Sequence, residues 1–116
     1  IIYDGGKQTR CFTFVNDAVE ATIRVAESNK TNGEIYNIGS DVESTIEEVL
    51  NHICHLSKVM PVFKEINTTK HYGSSYEDIA RRVPDVSKIK EVLGWTVTTK
   101  LEEGIKITLD WTKQNR

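Results

Sequence analysis

Apolar residues along this chain fall into short alternating runs and into longer stripes with helical spacing. That pattern predicts a mixed α/β protein. Ile1–Tyr3 is a brief apolar run and predicts a strand end. Asp4-Gly5-Gly6 predicts a tight turn, because glycine reaches positive φ without steric cost. Thr9–Val15 alternates, with Cys11, Thr13 and Val15 on one face and Arg10, Phe12 and Phe14 on the other. It reads as a strand with Arg10 at its mouth. Asn16 and Asp17 are cap residues for a helix reaching Glu27. Val19, Ile23 and Ala26 form one stripe of that helix, with Ala18, Ala21 and Val25 beside it, so it reads as well buried. Beyond a polar loop, Glu34–Ile38 reads as a short strand stopped by Gly39-Ser40.

Ser44 with Glu47 and Thr45 with Glu48 form overlapping capping boxes. The helix they open carries Ile46, Val49, Leu50, Ile53 and Cys54 on its apolar side and ends near Ser57. Val62–Ile66 reads as a strand. Asn67–Asp78 shows neither period, and its Tyr, Ser and His content suits a ligand-covering loop and a linker equally. Pro84 keeps Val83 out of helix, and Asp85 can cap a helix that buries Ile89, Val92 and Leu93. Gly94 is placed to end it, with Trp95 as an apolar anchor. Thr99 with Glu102 makes another capping box. The last helix buries Leu101, Ile105, Leu109 and Trp111, and Gly104 inside it signals a close backbone approach. The whole reads as one domain, 1–116, of short strands with about four helices and no internal repeat.

Composition narrows the picture. The 116 residues are 38% hydrophobic and 28% charged, values of a globular chain rather than a disordered one. A net charge of −2 argues against a nucleic-acid partner. No apolar run approaches the ~20 residues that span a bilayer, and Ile1-Ile2-Tyr3-Asp4 lacks the features of a signal peptide. The first residue is not methionine, which raises the expectation of a longer parent protein. Cys11 and Cys54 form no CxxC and are expected as reduced thiols on core-facing positions of a cytoplasmic protein. His52 and His55 could share a helix face, but they lack a third ligand, so no metal site is expected.

The candidate chemistry is anion recognition. No serine or cysteine triad, metal cage or paired-carboxylate site is visible, and Cys11 has no obvious base. Tyr76 with Glu77 or Asp78 could do acid–base work, but an isolated tyrosine titrates near ~10 and more often donates a hydrogen bond. Arg81-Arg82, just before Pro84, is either a solvated surface pair or an anion clamp, since a guanidinium fork matches phosphate and carboxylate oxygens. Lys7 and Arg10 flank the glycine turn, which is either a plain hairpin loop or an anion-facing one, and is no Walker or Rossmann fingerprint. If the fold joins these two cationic sites, they can clamp a diphosphate.

Read in order, several motifs share a family likeness. They are Gly6-Lys7-Gln8-Thr9-Arg10 with Phe12 and Asp17, Ile35-Tyr36-Asn37-Ile38-Gly39, Arg82-Val83-Pro84-Asp85-Val86-Ser87-Lys88, Leu93-Gly94-Trp95 and Leu101-Glu102-Glu103-Gly104. This series resembles the C-terminal part of extended short-chain dehydrogenases/reductases acting on nucleotide sugars, the NAD-dependent epimerases, dehydratases and decarboxylases. The likeness covers essentially the whole chain, though 57–70 matches poorly. It is strongest to UDP-glucuronate decarboxylases. Tyr72-Gly73-Ser74-Ser75-Tyr76-Glu77-Asp78 with Arg82 and Pro84 resembles the polymyxin-resistance type, which has histidine and lysine where this chain has Arg81 and Val83.

The resemblance implies an α/β substrate-binding lobe whose partner, an N-terminal Rossmann half, is missing. It implies that Arg10 holds the diphosphate of a UDP-sugar and that Gly6, Lys7 and Gln8 border the nucleotide. It places Tyr76 by the sugar or phosphate. It also implies that Arg82 touches the sugar carboxylate or diphosphate and serves catalysis of decarboxylation. NAD is the implied cofactor. The family's Gly-x-x-Gly-x-x-Gly and Tyr-x-x-x-Lys lie in the N-terminal half and do not occur here, so the chain alone is expected neither to bind NAD well nor to turn over. Glu34–Ile38 is expected in or beside the Rossmann sheet, where an open edge predicts self-association into a homo-oligomer. The rival readings are a non-catalytic binding or interaction module derived from such a lobe, and a small protein with surface arginines and no ligand.

Overall fold

Two small sheets and five helices make up the computed structural model, which describes residues 1–60, 62–73, 79 and 81–115. Strand β1 (Ile2–Tyr3) pairs in parallel with β4 (Glu65–Ile66). Strand β2 (Thr9–Cys11) is the centre of a three-stranded sheet. On one side it runs antiparallel to β3 (Glu43–Thr45), and on the other parallel to β5 (Arg81–Arg82). The helices are α1 (Val15–Glu27), α2 (Ile46–Ser57), α3 (Thr68–Tyr72), α4 (Ser87–Leu93) and α5 (Leu101–Gln114). None of the described helices is long and apolar enough to cross a membrane.

Local chemistry explains several helix ends. Thr45 and Glu48 form the expected capping box: Glu48 N–H donates to Thr45 Oγ1 at 3.0 Å, and Thr45 N–H to Glu48 Oε2 at 2.8 Å. Gly94 ends α4 at φ 63°, and its N–H donates to the Lys90 carbonyl. Asp85 does not occupy the cap position of α4 but accepts from Ser87 N–H and Oγ just inside it, at 2.9 and 2.7 Å. Asn67 caps α3 by accepting from Lys70 N–H.

The core is thin. Ala21, Ile89 and Trp95 are buried, with Val25, Tyr36, Ile38, Val86, Leu93 and Val97 packed against them. The radius of gyration is 17.3 Å, against about 13 Å for a compact domain of this length. Val15, Val19 and Ile23 are at least half exposed, so the predicted Val19–Ile23 stripe is not the buried face of α1. The helix turns Asp17 and Ala21 inward instead.

Other expectations are corrected in the same way. Strand β2 stops at Cys11 and α1 begins at Val15, because Asp17 does not cap the helix from outside; it sits within the first turn. Glu34–Ile38 has no ladder partner among the described residues. The segment places Tyr36 and Ile38 against the core and leaves Ile35 exposed. Of Val62–Ile66 only the last two residues pair. Asn67–Tyr72 is ordered by α3 rather than irregular, while 74–78 lie outside the described residues. Ser44 lies in β3 and caps nothing. Thr99 and Glu102 form no box: α5 is capped at Lys100, and the Thr99 N–H is taken by Asp17. Trp111 is 64% exposed, not buried.

Gly104 does mark a close approach. A Cβ there would sit 3.2 Å from Phe14 Cδ2 and 3.5 Å from Phe14 Cβ. The Phe14 ring borders a cavity and has room to give. Alanine also gains about 1 kcal/mol of helix propensity over glycine. Gly104→Ala is therefore expected to change stability by less than about 0.5 kcal/mol, whereas Gly104→Leu should cost about 2 kcal/mol through overpacking. Urea denaturation of the two variants checks this.

Candidate anion site on the three-stranded sheet

Pro84 disfavours helix at Val83 and leaves the preceding Arg81-Arg82 extended. The dipeptide lies along β2 in parallel register, Thr9 opposite Arg81 and Arg10 opposite Arg82. Register partners on adjacent strands share a face and sit about 4.8 Å apart. Residues distant in sequence are thus neighbours in the sheet, and successive residues point to opposite faces.

One face carries Thr9, Thr45, Glu43 and Arg81. Glu43 receives Arg81 Nε at 3.1 Å and Arg81 Nη2 at 2.6 Å, and accepts from Thr9 Oγ1 at 2.9 Å. Hydrogen bonds from Arg81 and then Thr9 hold the Glu43 carboxyl below its ordinary range. Cys11 lies opposite Glu43, and burial first, then the carboxylates of Glu43 and Asp41, push its thiol up. A thiol so placed is not an activated nucleophile.

The other face carries Arg10, Arg82 and Ser44, the partner of Arg10 on β3. Arg10 Nη1 donates to the carbonyls of Thr9 and Ile79, both at 2.7 Å, which fixes the guanidinium beside the strand. Arg82 is exposed and has no ion-pair or hydrogen-bond partner among the described residues. Like charges directly opposite one another destabilise a sheet. Ser44 also lines a cavity of about 280 Å³ together with Phe12, Ser40, Thr98 and Lys100.

The remaining sequence candidates sit around this face. Gly6 is buried: a Cβ on it would lie 2.7 Å from Ile2 Cδ1 and 3.1 Å from the Glu47 nitrogen. Lys7 is exposed on the turn, and the Gln8 carbonyl accepts from Ile46 N–H at 3.3 Å. Tyr76 lies outside the described residues. The larger cavity, about 470 Å³, is apolar and lies between α2 and α5; none of these arginines lines it, so it is a packing seam rather than the anion site. No metal-binding cluster exists among the described residues. Sequence reasoning passed over Glu43, because a three-residue strand leaves no readable period; its alternation with Thr45 just before a capping box is the one signal.

The sequence model of the GDP-mannose 4,6 dehydratase family matches residues 1–108. The chain belongs to the GDP-mannose 4,6 dehydratase family. Within the family it is 43% identical, over 98% of its length, to UDP-N-acetyl-alpha-D-glucosaminuronate decarboxylase of Bacillus cytotoxicus, and spans 35% of that protein. It matches MoeE5, solved with UDP-glucuronic acid and NAD, at TM-score 0.86 and 28% identity, covering 99% of this chain and 36% of MoeE5. It matches UDP-glucuronic acid 4-epimerase from Bacillus cereus, solved with UDP-glucuronic acid and NAD, at TM-score 0.84 and 26% identity, covering all of this chain and 35% of the epimerase. The kinship with nucleotide-sugar enzymes of the extended short-chain dehydrogenase/reductase type is thereby shown, and so is the α/β fold. The chain spans about a third of the length of these relatives.

The Gly5-Gly6 turn does not fit the pyrophosphate of NAD. A dinucleotide cradle needs glycines that open a helix and leave backbone bare for the pyrophosphate. The Gly5-Gly6 turn instead packs Gly6 against Ile2 and the first turn of α2, and leads into a strand.

Proposed function

We propose that this chain is the substrate-binding side of an NAD-dependent nucleotide-sugar epimerase, dehydratase or decarboxylase, with Arg10 and Arg82 gripping the diphosphate of a UDP-sugar. The single observation that carries this reading is the parallel register that makes Arg10 and Arg82 partners on one sheet face. Arg81 has its charge met by Glu43, so the double arginine divides its labour: one guanidinium holds the sheet and the other faces outward. Relatives solved with UDP-glucuronic acid supply the ligand class. Gly6, Lys7 and Gln8 sit at the rim nearest Arg10 in sequence, and Tyr76 belongs to the segment just before β5. In the whole protein, NAD would supply reversible oxidation of a sugar hydroxyl, while the residues here bind and orient.

The natural polypeptide that contains this chain provides the test. Arg10→Ala and Arg82→Ala should each weaken UDP-glucuronic acid binding about tenfold, as expected for loss of a charge-assisted phosphate contact. Titration calorimetry reads the change. Unchanged affinity in both variants overturns the diphosphate grip.

A further inference from the structure

The proposed anion face depends on a two-residue strand, joined to β2 by its ladder and by the bond from Arg10 Nη1 to the Ile79 carbonyl just before it. Two ladder residues at an edge are marginal on their own, and both residues of β5 are exposed. What ties β5 to the sheet on the opposite face is Glu43. Its carboxylate takes Arg81 through Nε and Nη2 and takes Thr9 through its hydroxyl, so a single side chain from β3 reaches across β2 to β5. A forked, two-point pair fixes direction as well as distance. Arg82 is the next residue, and alternation along the strand sends it to the anion face in a position set by how Arg81 is held.

We propose that Glu43 is a positioning residue: by clasping Arg81 on one face of the sheet it fixes β5 and so aims Arg82 at the anion beside Arg10. This rests on the diphosphate-grip reading and deepens it, since Glu43 itself never meets the ligand. The pair is well exposed on its arginine side, at 68% of the side chain, so it adds little to global stability. Its effect is on where Arg82 stands.

UDP is the probe, titrated by calorimetry against the natural polypeptide containing this chain, with thermal melting in parallel. Glu43→Gln should weaken UDP binding about fivefold, in the range of an exposed ion pair, with little change in melting temperature. Glu43→Arg and Arg81→Glu should each weaken it at least as much. The double reversal Glu43→Arg with Arg81→Glu should recover affinity to within about twofold of wild type, because the restored pair clasps β5 again. A role in bulk stability alone would lower the melting temperature without that recovery. Wild-type affinity in Glu43→Gln while Arg82→Ala binds weakly overturns the positioning role and leaves the grip standing. Wild-type affinity in Arg82→Ala as well overturns both. Failure of the double reversal to recover, with the protein folded, overturns the positioning role.

Discussion

Replacing Asp17 with alanine is expected to lower the unfolding free energy by about 3 kcal/mol. Asp17 is 3% exposed, and its carboxylate is the acceptor that ties α1 to the segment before α5. Oδ1 accepts from Thr98 N–H at 3.2 Å and Thr98 Oγ1 at 2.7 Å, and Oδ2 accepts from Thr99 N–H at 3.1 Å. Alanine strands two main-chain donors at a part-buried joint, each costing roughly 1–3 kcal/mol. Asparagine should fall between. Its oxygen can keep the Thr98 pair, but its amide would face the Thr99 N–H donor to donor. Burial alone would raise the Asp17 carboxyl, yet the bonds from Thr98 and Thr99 outweigh it, and the net shift is downward. A depressed folded-state value means that the stabilisation is complete above the ordinary aspartate range, near pH ~4, and is lost as pH falls through the folded value. Urea midpoints measured from neutral to acid pH should therefore fall for wild type and stay flatter for Asp17→Ala. Equal acid slopes would show that the carboxylate does not hold the joint.

Gly6→Ala is expected to cost a similar amount, about 3 kcal/mol, from two sources. Gly6 has φ 70°, where a Cβ adds roughly 1–2 kcal/mol. The same Cβ would lie 2.7 Å from Ile2 Cδ1 and 3.1 Å from the backbone nitrogen of Glu47. The isoleucine tip can swing away, but a nitrogen in the first turn of α2 cannot, so overpacking adds a further 1–3 kcal/mol or so. Gly5 is the control. It shares the positive φ, at 66°, but its nearest neighbour would be 3.6 Å away, so Gly5→Ala should cost only about 1 kcal/mol. Because the turn leads directly into β2, Gly6→Ala should also weaken ligand binding where Gly5→Ala does not. Denaturant midpoints and calorimetry on both variants test the contrast, and equal costs would refute it.

Elements whose signal is local are legible in the sequence. Thr45 with Glu48, Gly94 with Trp95, and Gly104 each announce their role within a few residues, and the structure places all three as read. Elements made by distant pairing are not. The strands β3 and β5 contain three and two residues, too few to show a period. The inward face of α1 is misread for a different reason: its deepest groups are a carboxylate and a small alanine, while its larger apolar residues lie outside. Hydrophobic spacing assumes that large apolar residues are covered by their own chain, and over Val15, Val19 and Ile23 that assumption fails. For the anion face, the arginines are visible as candidates in sequence, but their adjacency is a property of register alone. Glu43, which shares no motif with them, is legible only once the sheet is drawn.

The join of β2 to β5 has a consequence for how the protein comes into being. Arg10 and Arg82 lie far apart in the chain and become neighbours only when β5 pairs with β2. During synthesis the first arginine leaves the ribosome long before its companion, so the pairing cannot form until β5 has emerged, and closing so wide a loop is a slow step. If the proposed grip holds, an excerpt that lacks either arginine should lose UDP-sugar binding, however well its helices form.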